Sequence, residues 1–133
     1  MRTAVLGLAA LLAGSVAPGV AHAAPAHRAV HVGEKANGTR ITVHVGDRLR
    51  LALHNTYWAI QDAQGAAVRG GAPQRTEPAG GCVPGAGCGT VIRHFRAVAT
   101  GDARILATRQ TCGEALRCTG DAGRYVVRVH VVK

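Results

Sequence analysis

Four cysteines are the residues of this chain best suited to chemistry: Cys82, Cys88, Cys112 and Cys118, spaced as two Cys-x5-Cys pairs. What they do depends on their compartment. Arg2 supplies a positive N-terminal region, residues 5–16 are apolar, and Ala21-His22-Ala23 is a small-x-small cleavage site. Residues 1–23 therefore read as a secretory signal, with the exported part starting at Ala24. Gly14, Ser15, Pro18 and Gly19 interrupt the apolar stretch, which is too short and broken to span a membrane. An even number of cysteines in an oxidising compartment reads as disulfides. Three connectivities are open. The local one, Cys82–Cys88 with Cys112–Cys118, is favoured because each pair brackets one glycine-containing loop. A four-cysteine zinc site is disfavoured, because the spacing is not that of a ribbon or finger.

The remaining side chains do not assemble into a catalytic pattern. The exported part contains no serine, so serine hydrolase chemistry is excluded, and paired cysteines leave no thiolate nucleophile. Glu34, Asp47, Asp62, Glu77, Asp102, Glu114 and Asp121 fall mostly in turns and form no recognisable acid pair. His27, His31, His44, His54, His94 and His130 lack the close spacing of metal ligands, and no cofactor is expected. Gly85-Ala86-Gly87-Cys88-Gly89 has no helix after it, so it is not a dinucleotide loop. The chain is expected to be a binding module and not an enzyme.

The elements that must position these loops are strands. Residues 39–45 alternate, with Ile41, Val43 and Val45 on one face. Residues 48–53 alternate, with Leu49, Leu51 and Leu53 inward and Arg48 and Arg50 outward. Residues 123–132 place Tyr125, Val127, Val129 and Val131 together. Further short strands are expected at 29–32, 57–60, 66–69, 90–99 and 103–108, with Arg93 breaking the alternation in the longest. Asn37-Gly38, Gly46-Asp47 and Thr100-Gly101-Asp102 mark turns. About seven short strands in this length predict an all-β, immunoglobulin-like antiparallel sandwich, one domain over residues 29–133 behind a flexible leader at 24–28. In such a sandwich the B–C, D–E and F–G connections share one end. Here they are residues 54–56, 80–89 and 109–120, and the last two hold the cysteine pairs. Trp58 is the expected core tryptophan of strand C, which leaves its neighbour Tyr57 pointing outward as a contact residue.

Four segments carry a family resemblance. The opening pair GTRITVHVGDRLRLAL (38–53) is centred on Val-Gly-Asp. PGAGCGT (84–90) is a glycine loop before a strand, RILATR (104–109) enters the last loop, and RYVVRVHV (124–131) closes the chain. Together these resemble the chagasin-like inhibitors of papain-type cysteine proteases, which have an immunoglobulin-like fold. Gly85 and Gly87 match the first two glycines of the family's G-x-G-G loop, with Cys88 in place of the next. Arg109 matches the arginine of the final motif, with Gln110 and Thr111 replacing its proline and aromatic residue. Of the family's N-P-T-T-G loop, Asn55 and Thr56 remain before Tyr57. The resemblance implies a secreted, non-covalent inhibitor that inserts loops into a protease cleft. Asn55, Thr56 and Tyr57 would form the wedge, Gly85 and Gly87 a close backbone approach, and Arg109 a flank.

Charge supplies the alternative. The formal net charge is +9, with Lys35 and Lys133 the only lysines. A basic surface suits acidic partners, so the second expectation is an immunoglobulin-like envelope or adhesion module that binds anionic wall polymer. The basic residues form no run, and there are too few aromatics for base stacking, so nucleic acid is not expected as a partner.

Overall fold

The computed structural model describes residues 18–133, so most of the segment read as a signal lies outside the described residues. Among the described residues eleven strands form: β1 (Ala29–Val32), β2 (Arg40–His44), β3 (Arg48–His54), β4 (Ala59–Ile60), β5 (Val68–Gly70), β6 (Arg75–Pro78), β7 (Gly89–Ala97), β8 (Gly101–Thr108), β9 (Thr111–Gly113), β10 (Leu116–Arg117) and β11 (Arg124–Val132). Single 3-10 turns lie at Glu34–Ala36 and Gly120–Gly123. One sheet has the order β1-β3-β7, with β5 and β6 sharing the far edge of β7. The second has the order β2-β11-β8-β4, and β9 and β10 make a separate hairpin.

The two sheets face each other across one apolar core, as the alternation dictates. Leu49, Leu51 and Leu53 from β3 meet Ile105 from β8 and Val127, Val129 and Val131 from β11, all essentially without solvent contact. Trp58 is core, as expected, and Tyr125 is buried with its hydroxyl donating to the Gly33 carbonyl at 3.0 Å. Val45 departs from the expected inward face. It is 39% exposed, because β2 ends at His44 and the chain turns through Gly46.

The fold is the expected sandwich, with one refinement to its antiparallel character. β1 runs parallel to β3, and β2 runs parallel to β11. The reason is local: after β1 the chain makes the 3-10 turn and the Asn37-Gly38 bend, then crosses to the other sheet. Its opening strand is thus divided between the two sheets. β6 was not expected. All four of its residues are exposed, so it carries no apolar alternation and is held by its backbone ladder to β7. Arg93, which interrupts the alternation of β7, occupies an inward position. Its guanidinium donates to the Ile60 carbonyl at 2.9 Å and pairs with Asp62, which ties the two sheets together at their open edge.

Asp47 is the one buried charged residue among those described. Its carboxylate accepts the backbone N–H groups of Arg28 and His44, each at 2.9 Å, and lies 3.5 Å from the Arg28 guanidinium. It thereby pins the start of β1 to the corner between β2 and β3. The N–H bond from His44 holds this carboxyl below the usual carboxylate range. Burial opposes the shift, and the Arg28 contacts reinforce it.

Candidate functional site: the stapled loop end

β3, β7, β8 and β11 bring three connections to one end of the sandwich. His54 pairs with Thr90, and Thr108 pairs with both Ala59 and Arg124. The loop after β3, the loop before β7 and the loop after β8 therefore emerge side by side, as strand parity predicts.

The first of these is built by Asn55. It adopts a left-handed backbone (φ 91°), which asparagine tolerates better than most residues, and its Oδ1 accepts the Tyr57 N–H at 2.8 Å. The Asn55 N–H donates to Gly89 O and the Thr56 N–H to Gly87 O, both at 2.8 Å. The short loop is thus laced to the glycine loop by backbone bonds. Tyr57, expected to point outward as a contact, instead lies against that loop. Its hydroxyl donates to the Gly85 carbonyl at 2.6 Å, and its ring occupies the space a Cβ on Gly87 would need, at 2.6 Å. Gly87 is therefore required internally, by its positive φ and by the tyrosine ring. Gly85 is exposed, and a Cβ there would meet only Glu114, at 3.8 Å.

The third loop is longer and has its own structure. Cys112 and Cys118 are joined across the β9–β10 hairpin, and Cys82 and Cys88 close the glycine loop, which is the local pairing expected. Arg109 leaves β8 with its guanidinium 4.4 Å from the centre of the Trp58 ring, and its Nε donates to the Ala122 carbonyl at 3.1 Å. It is thus held in a cation–π contact at the base of the loop. The structure gathers Asn55, Thr56, Tyr57, Gly85, Gly87 and Arg109 at one end, but most of their polar groups are occupied within it.

The loop end presents two large aliphatic side chains outward, among exposed polar residues that include Glu114 and Arg117. Val83, next to Cys82, is 62% exposed and Leu116, in β10, is 61% exposed, each inside a disulfide-closed loop. Neither was singled out from the sequence. The available signal was a large aliphatic residue inside a short, cysteine-bracketed turn, where it has no core to enter. Among the described residues, no group of three His, Cys, Asp or Glu side chains gathers to hold a metal, and no helix is long and apolar enough to cross a membrane.

Because each bridge closes a seven-residue ring, removing one as Cys112→Ser/Cys118→Ser should cost about 2–2.5 kcal/mol by chain entropy. Denatured, unreduced wild type should take up no thiol label, and peptide mapping should recover the two local links. Labelled cysteines or a link between the loops would contradict this arrangement.

A two-sheet immunoglobulin-like sandwich that presents three adjacent loops at one end is the class of protein this chain represents. No protein-family model matches the sequence, and the comparison with curated proteins found no match. Solved structures share the fold. The solution structure of amebosin superposes with a TM-score of 0.55 at 16% identity, over 81% of this chain and all of the other. The crystal structure of the cysteine protease inhibitor EhICP2 from Entamoeba histolytica superposes with a TM-score of 0.53 at 9% identity, over 82% of this chain and all of the other.

Proposed function

We propose that the protein is a non-covalent inhibitor of a papain-type cysteine protease and that the loop end is its inhibitory surface. The observation that carries this reading is the lacing of the first two loops to each other beside a third, disulfide-closed loop, with Val83 and Leu116 exposed on the two bridged loops. That the fold is shared with a solved cysteine protease inhibitor supports it. Preorganised loops lose less entropy on docking, and uncovered aliphatic side chains gain by burial in a cleft. In this reading Val83, Gly85 and Leu116 meet the enzyme, and Arg109 flanks it. Asn55, Thr56, Tyr57 and Gly87 brace the surface from behind. The protein acts as a ligand and not as a catalyst, and it needs no cofactor. Two disulfides suit an oxidising compartment, so the protein works as an exported domain, in the extracellular space or the cell envelope.

The test is inhibition of several papain-type proteases by the folded, oxidised protein. Val83→Asp and Leu116→Asp should each weaken inhibition about tenfold or more, since fully burying such a side chain is worth about 1.5–3 kcal/mol. Arg48→Gln/Arg50→Gln, on the outer face of the first sheet, should leave it unchanged. Gly87→Glu is a poor probe of contact, because it would drive a side chain into Tyr57 and distort the loop itself. Absence of inhibition by folded wild type across such enzymes would refute the reading.

A further inference from the structure

The outer face of the first sheet carries a feature independent of the loop end. Leu49, Leu51 and Leu53 point inward, so Arg48 and Arg50 point outward. Register places Arg48 opposite Arg96, and Arg96 opposite Arg69 on β5. Three arginines thus form one cross-strand row over three adjacent strands. The adjoining row is His31, Arg50 and His94. Adjacent strands lie about 4.8 Å apart, and alternate residues along a strand about 6.7 Å apart. The arginines therefore sit on a grid of that spacing. Like charges directly opposite each other destabilise a sheet, so folding alone does not favour such a row.

Nothing neutralises it. Among the described residues, Arg48, Arg69 and Arg96 belong to no ion pair. Glu77, nearer the loop end, is occupied by Arg75 at 2.8 Å and lies 3.9 Å from Arg50. An open cleft of about 650 Å³ runs beside the row, with Arg48, Arg69, His94 and Arg96 in its lining; Phe95, the one Phe, Tyr or Trp residue there, is buried.

The second sheet provides the contrast. Arg40, Arg128 and Arg104 also form a cross-strand row. There, however, Arg40 pairs with Asp102 at 2.7 Å, Arg128 donates to the Gly38 carbonyl at 3.1 Å, and His130 also meets Asp102 at 2.9 Å. The second-sheet row thus has a carboxylate, Asp102, at one of its three arginines, whereas the first-sheet row has none among the described residues.

We propose that the open row is a binding site for a linear polymer of phosphate groups. Guanidinium forks match tetrahedral oxyanions in a bidentate manner and are less strongly hydrated than lysine ammonium groups. A phosphate polymer carries its charges on the backbone, so no flexible side chain must be frozen for each contact, as an acidic peptide would require. The outward positions of this face hold no Phe, Tyr or Trp, so there is no platform for bases, and the site reads phosphate and not nucleobase.

The two arginine rows allow a charge-matched experiment. Binding of inorganic polyphosphate to the oxidised protein is measured by calorimetry over a salt series for wild type, Arg48→Gln/Arg69→Gln/Arg96→Gln and Arg40→Gln/Arg104→Gln/Arg128→Gln. Both triple variants lose the same charge. The first should bind about thirtyfold or more weaker at low salt, with the slope of log affinity against log salt reduced by about two. The second should stay within about threefold of wild type. The first variant should also melt at or above the wild-type temperature, because it relieves repulsion. Equal weakening by both variants would reduce the effect to net charge and overturn the site, as would no binding by wild type at low salt. A clear fall in melting temperature for the first variant would mark these arginines as structural supports, which also overturns it. Polyglutamate or heparin binding as tightly as polyphosphate at matched charge would overturn the phosphate assignment.

Discussion

Trp58→Ala is expected to lower the free energy of unfolding by about 3–5 kcal/mol, the range for removing a large aromatic side chain from a packed core. Trp58 is 6% exposed and belongs to the main core cluster. It also fastens the loop end. Its ring carries the Arg109 guanidinium, and its carbonyl accepts from Gln74 Nε2 at 2.9 Å, while Gln74 Oε1 accepts the Ile60 N–H at 2.6 Å. Losing the ring therefore opens a cavity and frees Arg109 together. Tyr57→Phe, by contrast, removes one hydroxyl bond to Gly85 and should cost only about 0.5–1.5 kcal/mol. Urea unfolding followed by circular dichroism measures both, since the sole tryptophan cannot report on its own removal. A cost below about 1 kcal/mol for Trp58→Ala would be incompatible with a core position.

Asp47→Ala should cost about 2–4 kcal/mol at neutral pH, because it strands two buried N–H groups and removes charge-assisted bonds. The effect depends on pH in a defined sense. The folded carboxyl titrates below its ordinary value of 3.8, so the folded state binds its proton less readily than the unfolded chain. Its contribution is complete above about pH 4 and is lost as pH falls through the folded pKa. Wild type should therefore lose stability steeply below about pH 4, and Asp47→Asn should be flatter there. Glu34 and Asp102 add to the same slope. Burial raises the Glu34 carboxyl, but hydrogen bonds from His54 outweigh it and leave it lowered; His130 and Arg40 lower Asp102. Thermal melts from pH 2 to 7 on wild type and Asp47→Asn provide the comparison. Parallel acid profiles would remove Asp47 from the account.

The sandwich was legible because its strands obey simple alternation. Leu49-Leu51-Leu53 and Tyr125-Val127-Val129-Val131 each declare an inward face without reference to any partner. Strand parity then placed three loops at one end. The glycines and cysteines bracketing two of them anticipated the local disulfides, since residues so close in sequence meet at little entropic cost. Less visible were elements without an apolar period. β6 is exposed at every residue, and β9 and β10 lie within a segment read as a single loop. Their ladders are backbone bonds, which depend little on side-chain type.

The candidate site divides along the same line. The family resemblance pointed to Asn55, Gly85, Gly87 and Arg109, and all four lie in loops at one end of the sandwich or at a loop's base. Local sequence could not say that the half-exposed Tyr57 ring lies against Gly87, because that depends on a loop some thirty residues away being laced to its own. Nor could it show the arginine row. Arg48, Arg69 and Arg96 look scattered along the chain, and only cross-strand register makes them neighbours. Alternation is a property of each strand alone, set by the two-residue period of extended backbone. Register and loop docking arise from long-range hydrogen bonds and side-chain fit between strands, and these exist only once the two sheets have closed on each other.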